Sequence, residues 1–593
     1  MFAIKNRAKS ATEQEFNDEL LLSEVFMNKN GYAIGVDYGT NSVRALIVDV
    51  SNGREIASAI YHYPSGDAGI LLDPHDPNVA RQNPADYIAG FMASVNEAVT
   101  KAMGQSSFDV KQVVGLGIDS TGSTPLPVDR TGLPLAFQEQ FKNDLNAQAW
   151  LWKDHTSYME AAEITEKAAA YDPRYLCKCG GTYSSEWYWS KILHCKRIAP
   201  EVFEAAYAWV ELCDFIPGYI TDQLDPNTMP RSICAAGHKA MYHEDWDGLP
   251  SEAFLAMLDP DLAPLRERYA KHAITCDQEA GKLSKSVALK VGLPAGLPIA
   301  VGAFDAHTGA VGAGIKQNTL VKIVGTSTCD MMVSPLDHHL PDIPGLCGIV
   351  PGSIVPGMYG MEAGQSAVGD IFNWFVNHIS PGTTSTGDRH IELTEQATKL
   401  TPGQSGLLAL DWNNGNRTVL VDPQLSGLLI GQTLHTKPCE IYRALIEATA
   451  FGARKIIERW ETYDVPVHEV INCGGISEKN RLVMQIYADV CNKPMKISAS
   501  DQTCALGAAM FGAIVGKTYK NVQEAAEQMT RTKEIIFEPI TENVAVYEEL
   551  YQLYTDLHDA FGIHSDESRH LYHVMKKLIV IRENAVTKGK AHV

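Results

Sequence analysis

The feature that most constrains this chain is a short pattern that occurs twice, once in each half. The first copy runs Tyr32-Ala-Ile-Gly-Val, then Asp37-Tyr-Gly-Thr-Asn-Ser-Val-Arg44, then Ala45-Leu-Ile-Val-Asp-Val50. The second runs Thr319-Leu-Val-Lys-Ile-Val324, then Gly325-Thr-Ser-Thr328, then Cys329-Asp-Met-Met-Val-Ser334. Each reads as a strand, a tight turn of glycine and hydroxyl residues, and a second strand. Glycine in such a turn lets backbone N–H groups approach an anion, and hydroxyls add donors. Taken alone, either copy is an ordinary hairpin, because turns of this composition are common. Two copies in the two halves point to a duplicated architecture with a nucleotide held between them. Asp37, at the end of the first strand, is placed to hold Mg²⁺ through water. Arg44 is placed to set a fixed cation near a terminal phosphate.

A chain of 593 residues exceeds what one core fills, so two large domains are expected. The formal charge of −21 argues against a nucleic-acid or anionic-membrane partner. An anionic ligand would then depend on local backbone donors, Mg²⁺ and a few cations. Twelve cysteines are scattered singly without a Cys-x-x-Cys, as buried thiols of a reducing compartment are. No run is long and apolar enough to span a membrane, the nearest being 297–315, which holds Asp305 and His307. Residues 1–30 carry no signal-peptide stretch and read as an N-terminal extension with one short helix. Met27, just before the first strand, marks 1–26 as an extension or an upstream start.

Arg54–Tyr63 adds a third strand and makes a meander, and Pro84–Met103 has the apolar spacing of a helix. Val113–Ile118 is a strand that runs into Asp119-Ser-Thr-Gly-Ser-Thr-Pro125. Such a strand end is where open α/β sheets bind ligands, or else it is a plain glycine loop. Trp150, Trp152, Trp187, Trp189 and Trp209 read as core before ligand platform. Lys239 sits among small and apolar neighbours, although most lysines are solvated. Pro298–Phe304 reads as one strand ending at Asp305, which is placed to be a helix N-cap, a general base, or both. Glu362 precedes a helix through Val368, Ile371, Phe372 and Phe375 and is a cap-region acid or a polar ligand. Glu440–Trp460 is a helix; Val467–Asn472 is a strand, and Gly474-Gly475 at its end let a nucleotide lie against backbone. Cys504–Ile514 is a small-residue helix suited to close packing, and Val546–Phe561 and Glu567–Glu583 are amphipathic helices. The domain boundary is expected near 311, dividing 31–310 from 311–593.

Longer stretches are similar to one family in particular. They are Gly181–Trp187, Arg231–Ala240, Gly325–Cys329, Gly360–Ile371, Gly406–Arg417, Tyr442–Gly452 and Met484–Val490. With the 37–44 hairpin and Asp305, the chain resembles the FGGY carbohydrate kinases, of the actin/hexokinase-like ATPase superfamily, from about residue 32 to the C-terminal helices. The resemblance implies an α/β fold of two ribonuclease-H-like (actin/hexokinase-type) domains with an ATP/sugar cleft between them, the sugar on the N-terminal domain and the nucleotide on the C-terminal one. It implies MgATP-dependent phosphorylation of a ketopentose, with L-ribulose to L-ribulose 5-phosphate in L-arabinose catabolism expected first. A D-ribulose, xylulose or ribitol kinase is the alternative. In that pattern Asp305 is the base, and Lys239 and Glu362 hold the ketose, with Gly122 and Ser123 as a further wall. Asp37 serves Mg²⁺; Thr40, Asn41 and Arg44 face the γ-phosphate; Gly325 and Thr326 contact phosphates; Gly474, Gly475 and Asn480 line the adenosine. Glycerol kinases of the family carry an Arg-Glu pair after the strand that here ends at Asp119, and the Ser, Thr and Gly found instead count against glycerol. The resemblance also implies a cytoplasmic homodimer. An actin-like ATPase module would share both hairpins without needing Lys239, Asp305 and Glu362, and a sugar sensor without turnover would not need Asp305 and Arg44.

Overall fold

The computed structural model describes residues 30–338, 340–380, 382, 385–564, 571–573, 575 and 576. The expected N-terminal extension and the expected helix Glu567–Glu583 lie almost wholly outside the described residues.

The first sheet is built from β1 (Tyr32–Tyr38), β2 (Ser42–Asp49), β3 (Glu55–His62), β4 (Val113–Ser120), β5 (Glu279–Lys282), β6 (Pro298–Ala300) and β7 (Ala303–Phe304). β1, β2 and β3 form the antiparallel meander, and β4 lies parallel to β1 on its other side. The order is β5-β6-β4-β1-β2-β3, with β7 pairing β4 beyond β6. Ala33, Ile34 and Val36 of β1 and Ala45–Val48 of β2 are fully buried. These near-continuous apolar runs are what a sheet covered on both faces demands. The helix α1 (Pro84–Met103) packs on β2 and β3. It starts where the sequence places it: Asn83 accepts the Ala85 N–H, and Pro84 takes a position whose N–H has no helical partner.

The second sheet has β8 (Thr319–Val324), β9 (Thr328–Pro335), β10 (Gly348–Pro351), β11 (Met358–Ala363), β12 (Glu469–Cys473) and β13 (Met495–Ile497). Its order is β10-β11-β9-β8-β12-β13, again with an antiparallel hairpin beside parallel strands. Strands β8, β9, β11, β12 and β13 therefore repeat the arrangement of β1, β2, β3, β4 and β6. The fold is the ribonuclease-H-like α/β type, twice over.

The chain forms two compact units, and neither is a continuous segment. Of the described residues, the first takes 30–164, 184–314 and 502–530; the second takes those within 165–183, 315–501 and 531–576. The division at 311 expected from sequence puts the small-residue helix α8 (Thr503–Val515) with the second half. In the structure α8 packs on β1 and β4 of the first unit. The reason is steric. A Cβ on Gly35 would stand 1.7 Å from the Ala505 carbonyl oxygen, and one on Gly117 would stand 1.9 Å from that of Ala508. Only a strand without side chains there lets a helix backbone come so close. The same device seats α8 on α3 (Asp305–Gly312), where Gly507 faces the Thr308 carbonyl and Gly312 faces that of Thr503. Among the described residues no helix is long and apolar enough to cross a membrane, and the twelve cysteines are free thiols.

Candidate active site

In the first unit, sheet register gathers charges that are far apart in sequence. Asp37 stands opposite Arg44 across β1 and β2, and opposite Asp119 across β1 and β4. Asp119 in turn pairs with Ala303 of β7, two residues before Asp305. Residues in one row of a sheet point to the same face. Arg44, Asp37 and Asp119 therefore share a side at the C-terminal ends of β1 and β4. Asp119 is fully buried, with the Asp37 carboxyl and the Thr308 hydroxyl as its polar neighbours. Burial, together with the charges of Asp37 and Asp305, pushes it well above the usual carboxylate range. Burial also raises Asp37, while the proton shared with Asp119 and the Arg44 charge pull it back. Two buried strand-end carboxyls side by side, an all-oxygen donor set, suit a hard divalent cation. Asp119 was not singled out as a site residue in the sequence. The signal for it was the carboxylate at a strand end, in the position Asp37 holds.

The first turn is tied down by its surroundings. Thr40 Oγ1 accepts the Trp152 indole N–H at 3.1 Å, and the Thr40 carbonyl accepts Gln82 Nε2 at 2.7 Å. Asn41 Nδ2 donates to the Ala68 carbonyl at 2.6 Å, which uses its amide to hold the turn. A Cβ on Gly39 would meet nothing nearer than 3.7 Å, so its backbone faces open space.

Phe304 is the hub for the sugar-side residues. The short helix Ile233–Lys239 ends at Lys239, which is buried with Nζ 5.7 Å from the Phe304 ring and 5.3 Å from that of Trp187. The His307 ring lies 5.9 Å from Phe304 and 4.6 Å from that of His238. Gly122 lies so close to Phe304 that a Cβ would overlap the ring. Of the five tryptophans read from the sequence, Trp150, Trp187, Trp189 and Trp209 are buried core, as expected, yet Trp187 and Trp152 also touch Lys239 and Thr40. Ser123 differs from the expectation of a wall hydroxyl. It is fully buried, and its Oγ donates to Glu211 Oε1 instead of facing a ligand.

Two expectations about helix caps are corrected. Asp305 is the first residue of α3 and not its N-cap, which is the extended Phe304; its Oδ1 accepts the Ala306 N–H at 2.7 Å. The strand before it is also broken: β6 ends at Ala300, and Gly302 backs onto the Cys213 carbonyl before β7 resumes the pairing. Glu362 is not in a cap region. It lies inside β11, which is held extended by ladders to β9 on one side and β10 on the other.

The second unit presents its own turn. The Gly325 and Thr326 carbonyls accept N–H groups of Val368, Gly369 and Asp370 at 2.7–3.1 Å, where α4 (Gly369–Trp374) begins. Both residues are exposed, and a Cβ on Gly325 would meet nothing nearer than 3.9 Å. Beneath the turn, buried Lys322 donates to Asp330 at 2.7 and 2.9 Å and to Gln365 Oε1 at 3.0 Å. Gln365 Nε2 then donates to Asp411, which also accepts from Tyr554. This network links the turn to the strand end after Glu362. Gly474 has φ +94°, open to glycine, and Gly475 begins the helix α6 (Gly475–Lys479) facing open space. The Asn480 side chain caps the next helix by accepting the Val483 N–H, and it donates to Thr394.

Residues 32–312 match the N-terminal domain of the FGGY family of carbohydrate kinases, and residues 320–515 match its C-terminal domain. The chain belongs to that family. Its curated relatives include a ribulokinase of Halalkalibacterium halodurans, 42% identical over 93% of this chain and 97% of the relative. A ribulokinase of Geobacillus thermodenitrificans is 43% identical over 93% and 98%. In fold the chain is similar to a xylulose kinase from Rhodospirillum rubrum, with a TM-score of 0.73, 22% identity and coverage of 89% and 99%.

Proposed function

We propose that this protein transfers the γ-phosphoryl group of ATP to a ketopentose, with L-ribulose as substrate and L-ribulose 5-phosphate as product. The near-full-length likeness to ribulokinases supports the sugar. The observation that carries the chemistry is the gathering of Asp305, buried Lys239 and Gly122 on Phe304, beside the Arg44–Asp37–Asp119 row. A buried ammonium set against aromatic rings near a strand-end acid is what a sugar site calls for and a bare ATPase does not need.

In this reading Asp305 accepts the proton of the sugar's terminal hydroxyl as that oxygen attacks phosphorus. Its place at the first turn of α3, where its Oδ1 accepts the Ala306 N–H, fixes the carboxylate in position. Lys239 and Glu362 orient the ketose, and Gly122 forms part of the wall. Arg44 and Thr40 face the γ-phosphate; the turns at Gly39 and at Gly325 and Thr326, where no side chain crowds the glycines, lie against the phosphates; Gly474 and Gly475 lie against the adenosine, with Asn480 fixing the corner behind them. Asp37, with Asp119 beside it, would hold Mg²⁺, which when bound neutralises phosphate charge. Phosphoryl transfer asks mainly for such positioning and charge stabilisation. We place the enzyme in the cytoplasm as a homodimer, a state that light scattering at twice the chain mass would support.

The test is ADP release with MgATP against L-ribulose, D-ribulose, L- and D-xylulose, ribitol and glycerol, with Asp305→Ala alongside. L-Ribulose should be preferred, and Asp305→Ala should lower turnover by about 10²–10⁴. Sugar-independent ADP release that survives the substitution would replace this reading with an ATPase module.

A further inference from the structure

We propose that Lys191 and Glu211 are positioning residues for the ketose, acting through the loop that runs from Asp119 to Thr124. Neither touches the candidate site. Both are fully buried beneath that loop: Lys191 on the helix Tyr188–Ile198, Glu211 at the end of the strand Ala208–Glu211. Glu211 grips the loop twice. It accepts the Ser123 hydroxyl on Oε1 and the Thr124 backbone N–H on Oε2, the latter at 2.7 Å. Lys191 grips it a third time, donating from Nζ to the Ser123 carbonyl at 2.8 Å. The other two donors of that ammonium go to the Trp150 and Leu151 carbonyls at 3.3 and 2.9 Å. All three ammonium donors are satisfied by backbone, two from a segment outside the loop. That is the geometry of a clamp and not of a solvated or catalytic lysine.

The clamp is directional. It holds both edges of the Ser123–Thr124 peptide and the Ser123 side chain, one residue on from Gly122, whose Cα leaves no room for a Cβ against Phe304. Phe304 carries Asp305 on its C-terminal side and lies beside the Lys239 ammonium. A tilt of the loop therefore reaches the sugar side of the site. Burial pushes Lys191 down to about 7 and Glu211 up to about 7, each moderated by the other's charge. Such a costly buried arrangement is retained where it fixes geometry.

The inference rests on the reading of the 119–124 loop as a wall for the ketose. Its test is steady-state kinetics of Ser123→Ala, Glu211→Ala and Glu211→Gln, with Tm measured on each. Ser123→Ala and Glu211→Ala should raise the KM for the ketose about tenfold while kcat and the KM for ATP stay within about twofold. Glu211→Gln, which can still bond both loop groups after rotation of the Ser123 hydroxyl, should recover most of the loss. An unchanged ketose KM in a folded Ser123→Ala protein would overturn the inference. So would a parallel decline of kcat, both KM values and Tm, which marks a scaffold alone. If Glu211→Ala does not fold, Ser123→Ala, which removes one hydroxyl, still decides. A wild-type enzyme that turns over no ketopentose would defeat the reading of the site instead, and the two failures are thus distinct.

Discussion

At the scale of single residues, buried carboxyls set the character of the first unit. Asp214 illustrates this away from the strand ends. It lies 3.6 Å from Arg231, accepts the Ser232 N–H at 2.8 Å, and so anchors the start of the helix that delivers Lys239. Burial pushes its carboxyl from 3.8 up to about 6, against the pull of Arg231. A carboxyl raised in the folded state contributes stability below its unfolded value and loses it as pH climbs through the folded one. Urea unfolding of the wild type and Asp214→Asn across pH should therefore show the wild type losing ground between pH 4 and 6. The span from 3.8 to about 6, at about 1.4 kcal/mol per pH unit, makes the relative loss about 3 kcal/mol. A difference that stays flat, or grows with pH, would show that Asp214 remains ionised throughout. The catalytic candidate Asp305 was legible from sequence because an apolar strand ends on it. Asp119 was passed over because its partner Asp37 is distant in sequence and becomes its neighbour only through the pairing of β1 with β4.

At the scale of elements, the small helix α8 is the piece whose seat matters most. Its packing on β1, β4 and α3 depends on glycines facing carbonyls at van der Waals limits. Gly117→Ala and Gly507→Ala should each destabilise by about 1–3 kcal/mol or more, since neither backbone can yield locally. Denaturant midpoints would show this, and a loss below 0.5 kcal/mol, the usual range of a surface change, would mean that the helix shifts freely. The small-residue pattern of 504–514 announced close packing; it did not announce the partner. Glu362 shows the opposite limit. Residues 358–363 carry Gly360 and a mixed pattern that does not favour a strand by itself, and the two flanking ladders override it.

At the scale of the whole molecule, the chain crosses between its units and returns, so that residues 502–530 complete the first unit. A fragment of residues 30–314 would leave the α8 face of β1 and β4 uncovered. It should bind ANS and lack a cooperative unfolding transition, and adding 502–530 through a linker should restore one. A fragment that unfolds cooperatively alone would show that α8 is dispensable for that core. The sequence by itself determined the two Gly-Thr hairpins, the helices read at Pro84–Met103 and Glu440–Trp460 (Pro438–Thr462 in the structure), and the family. Each of these is written in a local pattern of turn residues, periodicity or contiguous motif. Tertiary structure alone decided that Asp119 joins Asp37, that Ser123 turns inward to Glu211 and Lys191, that Glu362 sits in a strand, and that α8 belongs to the first sheet. These are matters of register and of which surfaces meet, and they are fixed by contacts between residues tens to hundreds of positions apart that no local pattern encodes.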